Sequence, residues 1–259
     1  MSAAALLDIR GLVQRYPDGS TALQDIDLQL PRGQFCVLLG ASGSGKSTLL
    51  RAINGLQRPT AGEIRLDGRL LAPGQPGQRR GQVATIHQAV DLVPRLPVLD
   101  NVLTGALGEL PAWRALLGAF GDARRQRACQ LLHEVGLEEA QLYRRASELS
   151  GGQQQRVGIA RAFMAAPLLV LADEPIASLD PQSSRRMLEL LHRAARDHGA
   201  TVLCSLHQVG LGLEFADRIV ALDRGRIVLD AAADDLDAGQ VDAIYRAPAT
   251  IDEQRAVAA

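Results

Sequence analysis

The segment that most constrains this chain lies at residues 35–48. Five consecutive apolar residues, Phe35-Cys36-Val37-Leu38-Leu39, run directly into Gly40-Ala41-Ser42-Gly43-Ser44-Gly45-Lys46-Ser47-Thr48. A short unbroken apolar run suits a strand buried on both faces of a parallel sheet. The turn after it fits G-x-x-x-x-G-K-[ST] and opens a helix near Lys46, the context this pattern requires. Its glycines let backbone N–H groups close on phosphate oxygens, and the helix start adds the positive end of a dipole. In that arrangement Lys46 reaches the β- and γ-phosphates as a point charge and Ser47 holds Mg²⁺. Average composition gives such a match by chance in on the order of one protein in a hundred of this length.

Composition adds weight to the lysine. Lys and Arg total 28, yet Lys46 is the single lysine. In a chain that otherwise uses arginine, it marks a position that needs a compact ammonium and not a planar guanidinium. The chain of 259 residues suits one large domain or two small ones, and 47% hydrophobic residues exclude wholesale disorder. A formal net charge of -1 argues against a protein that coats nucleic acid. The arginine clusters at 79–80, 124–127 and 144–145 therefore read as solvated faces. No run of about 18 uncharged apolar residues occurs, and residues 1–7 lack a basic n-region. The expectation is a chain that neither spans a membrane nor starts with a secretory signal. Cys36, Cys129 and Cys204 are far apart among apolar neighbours and read as buried reduced thiols, as in a cytosolic protein.

Strand patterns at 6–13 and 26–30 open the chain, with a turn at 17–20 between them. Further strands are expected at 63–66, 82–86, 168–172, 201–204 and 218–222. Between 89 and 120 the texture is apolar but broken by Pro94, Pro97 and Pro111, with no clear strand. A helix follows, with Asp122 as its cap, an apolar stripe at Ala128, Leu131, Leu132 and Val135, and Gly136 as its stop. Another helix is expected after Ser150. A further one is capped by Asp180, has Pro181 in its first turn, and carries the stripe Met187, Leu190, Leu191, Ala194 and Ala195. Parallel β/α units at both ends thus flank a mostly helical insert.

Two more motifs carry chemistry. Leu168-Leu169-Val170-Leu171-Ala172-Asp173-Glu174 is an apolar strand with two carboxylates at its C-terminal end, where ligands bind in open α/β sheets. Asp173 suits Mg²⁺, and Glu174 can orient or deprotonate an attacking water. Leu149-Ser150-Gly151-Gly152-Gln153 offers a second anion-binding helix start. Because it lies in the insert, it is expected to act on a different nucleotide from the first, as a head-to-tail dimer allows.

Taken in order, the phosphate loop, Gln88 at the sheet-to-insert junction, Leu149–Gln153, Asp173-Glu174, Ser178-Leu179-Asp180 and His207 resemble the ATPase subunit of an ATP-binding-cassette transporter. Residues 92–103, 174–181, 205–209 and 111–114 make the chain most similar to the phosphonate-importer ATPases. His87 departs from the aromatic expected there, and Ala89-Val90 are smaller than expected. The resemblance implies an α/β P-loop NTPase with a mostly parallel central sheet, an N-terminal antiparallel β subdomain and an inserted helical subdomain. It implies one cassette: a nucleotide-binding core of residues 1–88 and 166–230, an insert of 89–165, and a tail of 231–259. It further implies that Tyr16 stacks on adenine and that residues 40–48 (Gly40, Ala41, Ser42, Gly43, Ser44, Gly45, Lys46, Ser47, Thr48) bind ATP. Glu174, His207 and Gln88 are then catalytic, and Ser47, Gln88 and Asp173 hold Mg²⁺. Ser150, Gly151, Gly152 and Gln153 act on a partner's ATP, with Asp180 at the dimer interface. The implied partners are a second copy, two membrane permease subunits and, indirectly, a substrate-binding protein, at the cytoplasmic face of a bacterial inner membrane. A GTPase switch is excluded, since no Asn-Lys-x-Asp base reader exists. An exporter, or an importer of another solute, shares every ATP motif.

Overall fold

The computed structural model describes residues 5–71, 81–87, 91–177, 179–237, 239 and 241; Gln88 and Ser178 lie outside them. In chain order the strands are β1 (Ala5–Arg15), β2 (Thr21–Pro31), β3 (Phe35–Leu39), β4 (Ala61–Leu66), β5 (Arg69–Leu70), β6 (Val83–His87), β7 (Leu169–Asp173), β8 (Thr201–Ser205), β9 (Arg218–Asp223) and β10 (Arg226–Ala232). The helices are α1 (Lys46–Asn54), α2 (Val98–Leu103), α3 (Ala112–Leu116), α4 (Asp122–Glu134), α5 (Glu139–Leu142), α6 (Gly151–Phe163), α7 (Pro181–Asp197) and α8 (Val209–Phe215).

Two sheets form. The first has the order β2-β1-β4-β5 and is antiparallel throughout. The second has the order β10-β9-β3-β8-β7-β6, parallel from β9 to β6 with β10 antiparallel at one edge. The apolar runs of the central strands serve two cores by simple alternation. Phe35, Val37 and Leu39 of β3, with Val170, Ala172, Val202 and Cys204, face the insert and α7. Cys36 and Leu38, with Leu169, Leu171 and Leu203, face α1 and the first sheet. This double burial is why the strands lack an apolar–polar alternation.

The expected elements stand, and most run longer than their apolar centres. The expected stripe of α7 is buried, and Asp180 caps it by accepting from Gln182 and Ser183 backbone N–H groups, both at 3.0 Å. One expectation is corrected. Asp122 is the first helical residue of α4, and Gly121 holds the cap position at φ 77°, ψ 161°, a conformation that suits glycine. Asp122 instead places a carboxylate in the first turn, favourable to the helix dipole. Cys36 and Cys204 are buried as expected, Cys129 only partly, and burial pushes the Cys36 thiol up to about 12. Strands β5 and β10 and helix α8 were not anticipated, and β10 carries the sheet past Asp230 to Ala232. Among the described residues no helix is long and apolar enough to cross a membrane.

The proline-broken entry to the insert is held by one buried amide. Asn101 Oδ1 accepts from Val93 N–H at 2.8 Å, and its Nδ2 donates to the carbonyls of Val93, Leu96 and Pro97 at 3.1, 3.2 and 3.1 Å. Removing this side chain strips four hydrogen bonds from a site with no solvent exposure. Asn101→Ala is expected to destabilise the protein by about 1–3 kcal/mol, seen as a lower melting temperature by calorimetry. An unchanged melt would remove the clamp.

Candidate functional site

The C-terminal ends of β3, β8, β7 and β6 lie side by side, since the four strands are neighbours and parallel. The glycine-rich turn leaves β3, Asp173 and Glu174 end β7, and Ser205 ends β8, with His207 two residues on. A cleft of about 500 Å³ opens there. It is lined by residues 42–48, by Glu174, and by Tyr16 and residues 20–22 of the first sheet.

The turn is shaped by two glycines that no other residue could replace without displacement. A Cβ on Gly40 would lie 2.4 Å from the Leu222 carbonyl, and one on Gly45, at φ 108°, 2.6 Å from the Ala22 carbonyl. The β9–β10 turn braces the loop from behind, since Gly225 N–H donates to the Ser44 carbonyl at 2.9 Å. The first helical hydrogen bond of α1 runs from Leu49 N–H to the Gly45 carbonyl. The N–H groups of residues 46–48 therefore precede the helical ladder and are available to an anion. Ser44 Oγ is a buried hydroxyl with no partner among the described residues.

Lys46 is 4% exposed and donates from Nζ to the Gly40 and Ala41 carbonyls at 2.7 and 3.1 Å. Burial lowers its pKa, while Glu174 and Asp173 oppose the shift. Its ammonium is thus folded back on the loop, desolvated and directed at neutral acceptors. Ser47 Oγ donates to Asp173 Oδ1 at 3.1 Å, and His207 Nε2 donates to Glu174 Oε1 at 2.6 Å. Glu174 has φ 50°, a left-handed backbone rare for a residue with a Cβ. The Tyr16 and Thr48 hydroxyls are 3.2 Å apart.

These residues fit a nucleotide with a divalent cation. Ser47 and Asp173 are hard oxygen donors, and no cluster of three His, Cys, Asp or Glu exists among the described residues. A cation here would take its remaining ligands from phosphate and water, as would suit Mg²⁺.

Not every expected site residue converges. Ser150 caps α6 in a capping box, accepting from Gln153 N–H at 3.4 Å while Gln153 Oε1 accepts from Ser150 N–H at 2.9 Å. Gly151 and Gly152 are exposed and have open space where a Cβ would sit. None of the four lines the cleft. Asp180 is exposed at the start of α7, and hydrogen bonds from Ser183 and Gln182 hold its carboxyl below the usual range. The other histidines stay outside the cleft: His192 packs between Phe35 and Phe215, and His198 joins Arg127 to Glu134. Ser205 was missed, and so were residues 20–22 and the Gly225 brace.

With that geometry in view, the family follows. The profile described as "ABC transporter" matches residues 23–177, and the chain belongs to that family as an ATP-binding cassette. It is 55% identical, over 86% of its length and 82% of the relative, to the phosphonates import ATP-binding protein PhnC of Hydrogenovibrio crunogenus. It is 46% identical to PhnC 1 of Natronomonas pharaonis, over 93% of this chain and 99% of that one. Among solved structures, the dimeric post-hydrolysis ATP-binding cassette MJ0796, bound to ADP and Pi, superposes with a TM-score of 0.73 at 30% identity, covering 88% of this chain and 98% of that one. The cassette cbiO1 of Clostridium perfringens gives 0.78 at 26% identity, covering 94% and 96%.

Gly45→Ala tests the turn. The added methyl collides with the backbone of β2 and strains φ, so retention of a fluorescent ATP analogue is expected to be lost while far-UV circular dichroism stays unchanged. Normal nucleotide affinity would show that the tight approach is not needed.

Proposed function

We propose that this chain is the ATP-hydrolysing subunit of an importer for phosphonate or a related phosphorus oxyanion. The observation that carries the reading is the convergence of Lys46, Ser47 on Asp173, and His207 on Glu174 at the rim of one cleft. The 55% identity to a phosphonates import protein over most of both chains supports the cargo.

The triphosphate of ATP enters along the turn, where the N–H groups of residues 46–48 face its oxygens. Lys46 exchanges two carbonyl partners for phosphate, trading neutral acceptors for anionic ones. Ser47 and Asp173 would hold Mg²⁺, which when bound would supply charge neutralisation at the phosphate oxygens. Glu174 accepts a proton from the attacking water, and His207, hydrogen-bonded to it, fixes its orientation. Tyr16, on the cleft wall, stacks on adenine.

One copy supplies only part of such a site. Among the described residues the cleft lining draws nothing from the insert, so Ser150, Gly151, Gly152 and Gln153 serve the ATP of a second copy. Asp180 lies at that interface. A dimeric neighbour carrying ADP and Pi supports the arrangement. Gln88, which lies outside the described residues, would serve the cation or the lytic water and report nucleotide state to a permease. A groove of about 440 Å³, lined by Val83, Thr85, Leu107 and Arg161 among others, suits a short helix from that permease. Such a complex sits at the cytoplasmic face of the inner membrane and receives its cargo from a binding protein.

Lys46→Ala is expected to lose ATP binding. Glu174→Gln is expected to keep ATP and dimerise on it, while kcat falls by about 100-fold or more, read by phosphate release and light scattering. Cells lacking the chain are expected not to grow on methylphosphonate as sole phosphorus source. Wild-type chain restores that growth and Glu174→Gln does not. Growth retained without the chain would overturn the cargo, and wild-type turnover by Glu174→Gln would overturn the base.

A further inference from the structure

Ser205 ends β8 and has no solvent exposure. The sheet register sets it opposite Asp173 on one side and Leu38 on the other. Its hydroxyl makes two bonds of opposite sense. It donates to Asp173 Oδ1 at 2.8 Å and accepts from Glu174 N–H at 2.9 Å. One buried oxygen thus joins the carboxylate that pairs with Ser47 to the backbone of the residue that carries the base.

The second of these bonds bears on the geometry of catalysis. A left-handed backbone at a residue with a Cβ is sterically strained and persists only where its surroundings hold it. Glu174 is held at three points: its N–H by Ser205, its carbonyl by Ala177 N–H at 3.2 Å, and its carboxylate by His207. Of the three, only Ser205 is fully buried and fixed in a strand. The first bond acts on Asp173. Among the described residues, the donors to its carboxylate are Ser47 and Ser205, both meeting Oδ1, and Oδ2 has no hydrogen bond. The rotamer is therefore set from the sheet side before any ligand arrives.

We propose that Ser205 is a positioning residue for hydrolysis, one hydroxyl fixing both the carboxylate of Asp173 and the left-handed turn that aims Glu174. This rests on the reading of Glu174 and Asp173 as base and cation ligand. Ser205 does not line the cleft. Its loss frees the Glu174 amide and unlocks Asp173, while Lys46 and the turn keep their bonds.

The test compares Ser205→Ala, Ser205→Cys and Ser205→Thr with Glu174→Gln in the full chain. Ser205→Ala is expected to lower kcat by about 10- to 100-fold, with KM for ATP and ATP affinity in EDTA unchanged. More Mg²⁺ is needed for half-maximal rate. Hydrogen exchange at the Glu174 amide accelerates while the amides of Val170 and Leu171 within β7 stay protected. Ser205→Thr, which keeps the hydroxyl, restores most of kcat. A purely structural role would instead loosen the β7 amides and lower ATP affinity in EDTA, and that outcome overturns the proposal. So does wild-type kcat in Ser205→Ala alongside an inactive Glu174→Gln, a result that leaves the ATPase reading intact. Wild-type turnover in Glu174→Gln strikes that reading instead. Should Ser205→Ala melt early, Ser205→Cys decides: similar in shape and a poor donor, it overturns the proposal if it turns over at the wild-type rate.

Discussion

The register of four parallel strands is the constraint on which the remaining structure depends. His87, Asp173, Ser205 and Leu38 fall on one line across β6, β7, β8 and β3. One residue of slip in β8 would turn Ser205 away from Asp173 and put an apolar side chain against the carboxylate. Because the alternating faces of these strands feed two separate cores, such a slip would also exchange the contents of both. Packing thus protects the chemistry. The apolar residues between the site and the rest of the sheet make any other alignment costly.

The cleft is equally a product of the smaller sheet. Gly45 lies against the Ala22 carbonyl, and Gly225 against the same stretch of β2, so the phosphate loop is pinched between two sheets and a hairpin turn. Tyr16 reaches the opening from the end of β1. The N-terminal strands therefore form a wall of the nucleotide site.

Local chemistry was legible where it was written in consecutive residues. The strand–glycine turn–lysine segment, the carboxylate pair at a strand end, and Asp180-Pro181 before an apolar stripe each carry their reason in sequence. Features that depend on distant partners were not. Ser205 is an ordinary strand serine until β8 is set beside β7. Strand β10 escaped notice because its hairpin turns through Arg224 and Gly225 with φ of 46° and 77°, and arginine is not the residue such a turn prefers. Helix α8 contains Gly210 and Gly212, poor helix formers. At Gly212 a Cβ would meet Val37 and Ile219 side chains at 3.3 and 3.5 Å, a close but not forbidding approach. At Gly121-Asp122 the side chain most suited to capping was displaced by a backbone angle that it does not favour.

The left-handed turn at Glu174 has an implication for cassettes that have lost their chemistry. Asparagine or glycine would adopt that angle with less strain, so under the proposed role as base it is the duty of the carboxylate that keeps a glutamate there. Where the duty lapses, nothing retains either the angle or the serine beneath it, and both are free to drift together. A silent cassette should then be recognisable from its chain path, even in a copy whose acidic side chain happens to survive.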